Sequence, residues 1–228
     1  MDTLGHLPPL PLIIDYMDRT KTMTSRDEDN IRFGLEQRDR IRRVDLQAPS
    51  SSFHAWLLQM KRLFPSLVNL SLLSTTTETD EMSPVLPETL QAPNLRHLSL
   101  HGIGFPRRFL LLSSATTLST LSLTHIRPSC YFPPRHLATQ LKGLPHLEEL
   151  LISFAVFPSS EELSPAPISP MALPALRQLT FRGVDTYLDN LVAQINAPLL
   201  ERLILTLHFG ITFTLVKLAE FIHRIKGF

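Results

Sequence analysis

One cysteine, Cys130, is present in 228 residues, so an intramolecular disulfide is impossible and a cysteine-based zinc site has no ligand set. This favours a reducing compartment. Glycine is scarce, with eight residues, which leaves little material for phosphate-cradling loops. Charge of one sign is also lacking: 22 Lys and Arg stand against 21 Asp and Glu. A net charge of +1 gives no electrostatic footprint for nucleic acid or an anionic membrane. No apolar run approaches the roughly 20 residues needed to cross a bilayer. The N-terminus has no basic lead, and Pro8, Pro9 and Pro11 interrupt its apolar stretch, which argues against a signal peptide. These absences point to an intracellular protein, in cytoplasm or nucleus, with no nucleic-acid and no membrane partner.

Leucine and proline are what the chain has, and they recur together. The unit P-x-L-x-x-L-x-L begins at Pro65, Pro93, Pro145, Pro174 and Pro198. Two further copies lack the proline and begin at Asp39 and Thr116. The seven starts lie 23 to 29 residues apart, within the range of leucine-rich repeats. Residues two apart share one face of a strand, so the last two leucines of each unit point the same way. The first leucine falls on the turn leading in. One unit cannot bury these side chains alone, but stacked units can. The expected fold is therefore α/β, a leucine-rich-repeat solenoid or horseshoe. It has a parallel concave sheet, convex helices and loops, and about seven irregular repeats.

Helical spacing of apolar residues predicts return helices over 53–64, from Pro134 to about Leu144, over 184–196 with Asp185 as N-cap, and over 215–225. Asp27, Glu28 and Asp29 predict the start of a helix reaching Gln37. Residues 75–90 read as looser, and 158–172 as an excursion loop. Residues 1–38 form a lead-in with an extra strand near Pro11–Ile14 and that helix. The solenoid runs over 39–228. Neither end carries an obvious polar cap, so the array is expected to be truncated.

The repeat pattern resembles leucine-rich-repeat proteins over about residues 39–210. A narrower resemblance rests on Leu10–Tyr16 (L-P-L-I-I-D-Y), Arg42–Pro49 (R-R-V-D-L-Q-A-P), Leu86–Leu98 and Gly143–Leu150. These segments look like the repeat region of fungal F-box-like proteins from mushroom-forming species. The resemblance implies substrate recognition in an F-box-type ubiquitin ligase. A Skp-type adaptor would be a partner only through an F-box outside this chain, since none is found upstream of residue 30. Leu86-Pro87-Glu88 echoes an F-box opening but lies inside the array. The alternative is a free-standing scaffold or truncated product with no ligase link. One departure from the general pattern is clear. The Asn or Cys expected three residues after the last strand leucine is replaced by Ile103, Ile126, Ala155, Val184 and His208. Their role in satisfying backbone groups is expected to pass to helical turns or water.

Alternation predicts that positions four, six and eight after each unit's start face outward. The candidate partner-binding residues are Arg43 and Asp45; Asn69; His97, Ser99 and His101; Thr120, Ser122 and Thr124; Glu149 and Ser153; Gln178, Thr180 and Arg182; Arg202 and Thr206. The expected ligand is a protein of unknown identity. His97 and His101 lie about 13 Å apart along one strand, too far to share an ion. No nucleophile, phosphate-loop or zinc-protease motif occurs. No enzyme activity, cofactor or metal is expected. Ser83, Ser164 and Ser169 precede prolines in predicted loops and read as phosphorylation candidates. Cys130 reads as a packed thiol.

Overall fold

The computed structural model describes residues 10–17, 23–76, 83–106, 109–156, 170–208 and 216–225. The strands are β1 (Leu12–Met17), β2 (Ile41–Ala48), β3 (Asn69–Ser74), β4 (His97–His101), β5 (Thr120–Ile126) and β6 (Glu149–Phe154), followed by β7 (Met171–Ala172), β8 (Gln178–Gly183), β9 (Ile195–Asn196) and β10 (Arg202–Leu207). Eight of them form one parallel sheet in the order β1-β2-β3-β4-β5-β6-β8-β10. The short β7 and β9 pair separately, also in parallel. The helices are α1 (Ser25–Glu36), α2 (Ser50–Gln59), α3 (Leu110–Ser114), α4 (Pro134–Leu141), α5 (Asp185–Val192) and α6 (Val216–Arg224). The result is an α/β architecture, compatible with a solenoid-like arrangement, in which each main strand pairs with the next along the chain.

The register follows from burial of the leucines. Leu70, Leu98, Leu121, Leu150 and Leu179 are consecutive partners across the sheet, as are Leu72, Leu100, Leu123, Ile152 and Phe181. All are buried. A one-residue slip would turn every one of them to the other face, so the pattern locks the pairing. The leading leucines Leu67, Leu95, Leu118, Leu147, Leu176 and Leu200 are buried as well. Each donates its N–H back to the carbonyl three residues earlier, at Phe64, Ala92, Ala115, Leu144, Leu173 and Ala197. The same turn thus recurs before six strands.

Helix α1 packs on α2, and α3, α4, α5 and α6 pack one on the next. Their apolar residues join the inner face of the sheet in one continuous core. Aromatic rings thicken it toward the C-terminal half. Phe154 meets Tyr187 edge to face at 4.8 Å, and Tyr187, fully buried, donates its hydroxyl to the Phe132 carbonyl. Burial pushes that phenol well above the usual tyrosine range, so it stays a neutral donor.

Several boundaries differ from the sequence expectation. α1 starts earlier, at Ser25, because Thr24 and Asp27 form a capping box. α2 runs Ser50–Gln59 rather than 53–64, since Phe64 already belongs to the turn into β3. Val184, not Asp185, is the N-cap of α5, and Asp185 instead accepts from the Thr186 N–H. α3 is a short helix that the apolar pattern left unassigned. Residues 83–96 carry no helix, and Leu86 and Leu90 are buried in the core. Ser83 is buried, and among the described residues its hydroxyl has no partner, so it does not lie in an exposed loop. Ser164, Ser169 and residues 158–169 of the loop expected over 158–172 lie outside the described residues, while Met171–Ala172 at its end form β7, held by pairing with β9. Cys130 is buried.

The groups expected to turn to helical turns or water are met by a helical turn at Val184, whose carbonyl accepts from the Leu188 N–H, and elsewhere by the sheet itself. Ala155 N–H donates to Ile126, His208 to Gly183 and Thr75 to Ala48. The backbone ladder simply runs past the last leucine. A second ladder lies at the other end of the strands. Arg40 donates to the Leu10 carbonyl, Ser66 to Asp39, Asn94 to Pro65 and Thr117 to Pro93. These are the second residues of successive units, each reaching the strand before. Among the described residues no helix is long and apolar enough to cross a membrane.

Candidate functional site

The side chains opposite the core form three rows across the sheet. The first contains Arg43, Asn69, His97, Thr120, Glu149, Gln178 and Arg202, partner to partner. The second contains Asp45, Ser71, Ser99, Ser122, Leu151, Thr180 and Ile204. The third runs Gln47, Leu73, His101, Thr124 and resumes at Ser153, Arg182 and Thr206. All sixteen residues chosen from the sequence lie in these rows. Every row member is half-buried or exposed. Adjacent members sit one strand spacing apart, about 4.8 Å.

Side-chain size varies across this open face. The middle row is serine on β3, β4 and β5, flanked by His97 and by Leu73 and His101. This makes a shallow furrow in the centre of the sheet. Few contacts tie the face to itself. Arg43 pairs with Asp45 at 2.9 Å on the same strand, and Arg182 Nε meets His208 Nε2 at 3.1 Å. Arg202 lies 3.5 Å from Gln178 Oε1.

The break in the third row is a β-bulge. Pairing of β5 with β6 shifts between Leu123 and Ile126, and His125 has φ +53°. The extra residue leaves Thr124 and His125 both out of the core. His125 stacks on His101 with ring centroids 5.1 Å apart. His101 Nδ1 lies 2.9 Å from Thr124 Oγ1. Burial holds His101 below the usual imidazole range, with the His125 and Arg127 charges adding to the effect. His125 is lowered by burial and by Arg127. Both rings are therefore biased toward the neutral form, which can donate and accept.

Arg127 closes this end of the sheet from behind. It is only 6% exposed, its Nη2 donates to the Thr76 carbonyl, and among the described residues its Nη1 has no hydrogen-bond partner. Beside it, Ser50 N–H donates to Thr76 Oγ1 at 2.8 Å, and the Ser50 and Ser74 hydroxyls are 2.7 Å apart. Alternation alone does not reveal His125 or Arg127. The signal available was a histidine near the end of β5, a residue type enriched at positive φ.

Among the described residues no three His, Cys, Asp or Glu side chains gather as a metal would require. The face is polar, wide and shallow, suited to many weak contacts rather than to one convergent reaction centre. Fold and face together define an α/β protein with an eight-stranded parallel sheet presenting an ordered polar surface. Neither protein-family models, nor curated proteins, nor solved structures gave a match to this chain.

Proposed function

We propose that the chain is a leucine-rich-repeat solenoid whose open sheet face binds a protein partner, with no catalytic role. The observation that supports this most is the in-register array itself. Three rows of side chains each draw on seven strands, yet few of them are used in contacts within the chain. A rigid surface with unspent hydrogen-bonding capacity binds at low ordering cost. The sequence resemblance extends this reading to substrate recognition in an F-box-type ubiquitin ligase, with the Skp-type adaptor engaged through an F-box outside this chain.

Affinity capture compares the wild-type chain with an Arg182→Glu/Arg202→Glu variant. Both arginines are exposed, so the variant should fold. A partner held by wild type and reduced about tenfold or more by the variant is the expected result. Equal capture by both, or no specific partner for either, counts against the face. Copurification of the adaptor with the full-length gene product tests the ligase part separately, and its failure leaves a free-standing scaffold.

A further inference from the structure

A second surface lies at the N-terminal rim of the sheet, where the turns lead into β2, β3, β4 and β5. A groove of about 480 Å³ opens there, lined by Arg40, Arg42, Arg96, Asn94 and Asp39 among others. Three guanidinium groups face one carboxylate. Arg40 is held by the Leu10 carbonyl through Nε and Nη2. Arg42 and Arg96 are exposed, and among the described residues neither forms an ion pair.

The floor of the groove is already satisfied. Val68 N–H donates to the Arg42 carbonyl, Arg96 N–H to Val68 and Ser119 N–H to Arg96. The Asn94 and Ser66 side chains are likewise spent on the carbonyls of the preceding turns. What remains uncommitted is positive charge. Beyond the groove, the open face on β3, β4 and β5 carries no carboxylate; its residues there are Asn, Ser, Leu, His and Thr. A cationic groove thus opens directly onto a neutral polar furrow.

We infer that this rim groove binds an acidic peptide segment, its carboxylates or phosphates taken by Arg42 and Arg96. The two arginines occupy the same position in their units on strands two apart. Their backbones therefore lie about 10 Å from each other. Arginine stems are long enough to close that separation to the spacing of alternate side chains of an extended peptide, about 7 Å. Guanidinium groups also hold carboxylate or phosphate through paired N–H donors. Nucleic acid fits less well. Among the described residues no aromatic ring lines the groove to stack a base, and the chain as a whole carries a charge of only +1. The groove is distinct from the rows around Arg182 and Arg202, so its test does not depend on theirs.

Fluorescence anisotropy on the full chain tests it with four labelled probes: a Glu-rich peptide, a phosphoserine peptide of the same spacing, a Lys-rich peptide and a short single-stranded RNA. The expected result is binding of one or both acidic peptides, weakening with added salt, and no binding of the Lys-rich peptide. Arg42→Glu/Arg96→Glu should weaken it about tenfold or more, while Arg182→Glu/Arg202→Glu leaves it unchanged. Arg42→Gln/Arg96→Gln, a milder change, should give an intermediate loss, and melting curves confirm that each variant folds. The relative strength of the Glu-rich and phosphoserine peptides identifies the anion. The inference is overturned if neither acidic peptide binds, if RNA binds more tightly than both, or if the Arg42 and Arg96 variants bind undiminished.

Discussion

Leu121 and Ser122 are neighbours in sequence and opposites in role. Leu121 is fully buried between Leu98 and Leu150, while Ser122 faces out between Ser99 and Leu151. Leu121→Ala removes apolar atoms from a close-packed stack that cannot collapse around the gap. It should destabilise the protein by about 2–5 kcal/mol. Ser122→Ala deletes one exposed-face hydroxyl and should stay within about 0.5 kcal/mol. Urea unfolding of both variants checks the pair. Similar losses in the two would mean that the register is not the one described. Both roles are legible in the sequence, because a period of two assigns each residue to a face. The positive φ of His125 is not legible, since it depends on the bulge between β5 and β6 and not on any local preference strong enough to compel it.

At the scale of elements, the histidine pair on β5 and β4 gives the fold a sense of pH. Both imidazoles titrate below their unfolded value near 6.5. The unfolded chain therefore binds protons more readily than the folded one between those values. The stability this confers is complete above about pH 6.5 and is lost as pH falls through the lowered folded-state pKa. The urea midpoint should fall between pH 7.5 and pH 5.5, and His101→Gln/His125→Asn should flatten that dependence. Arg127→Met removes a buried charge that has one unpartnered nitrogen. The histidine resonances, followed by NMR, should then titrate at higher pH, and stability should be unchanged or raised. Unshifted titrations would show that Arg127 does not act on the pair. Element boundaries were partly legible. The proline start of α4 was visible in the sequence, whereas α2 ended early because Phe64 was claimed by the next turn, a tertiary demand.

Across the whole molecule, stability should be graded along the stack. Strands β3 to β6 have neighbours on both sides and a buried inner face. Among the described residues β10 has a neighbour only on the β8 side, and its core-facing Leu203, Leu205 and Leu207 are half-buried, while Ile204 is 42% exposed. Where each unit contacts mainly its neighbours, opening begins at the ends. Hydrogen exchange should therefore be slowest in β3 to β6 and fastest in β10. Uniform protection from β1 to β10 would argue for one all-or-none core.

The recurring unit by itself determined the parallel strands, their order, the face each residue occupies and the rows that result. These follow from local periodicity plus the need of each apolar face for a neighbour. Only the tertiary structure decided the bulge that adds His125, the burial of Arg127 and the arginine groove at the rim. It also decided that backbone and second-position side chains, rather than an asparagine ladder, satisfy the turns. The physical reason is shared by all four. Each depends on distances between residues more than 20 positions apart in sequence, set by how the intervening segments pack, and no single unit encodes that offset.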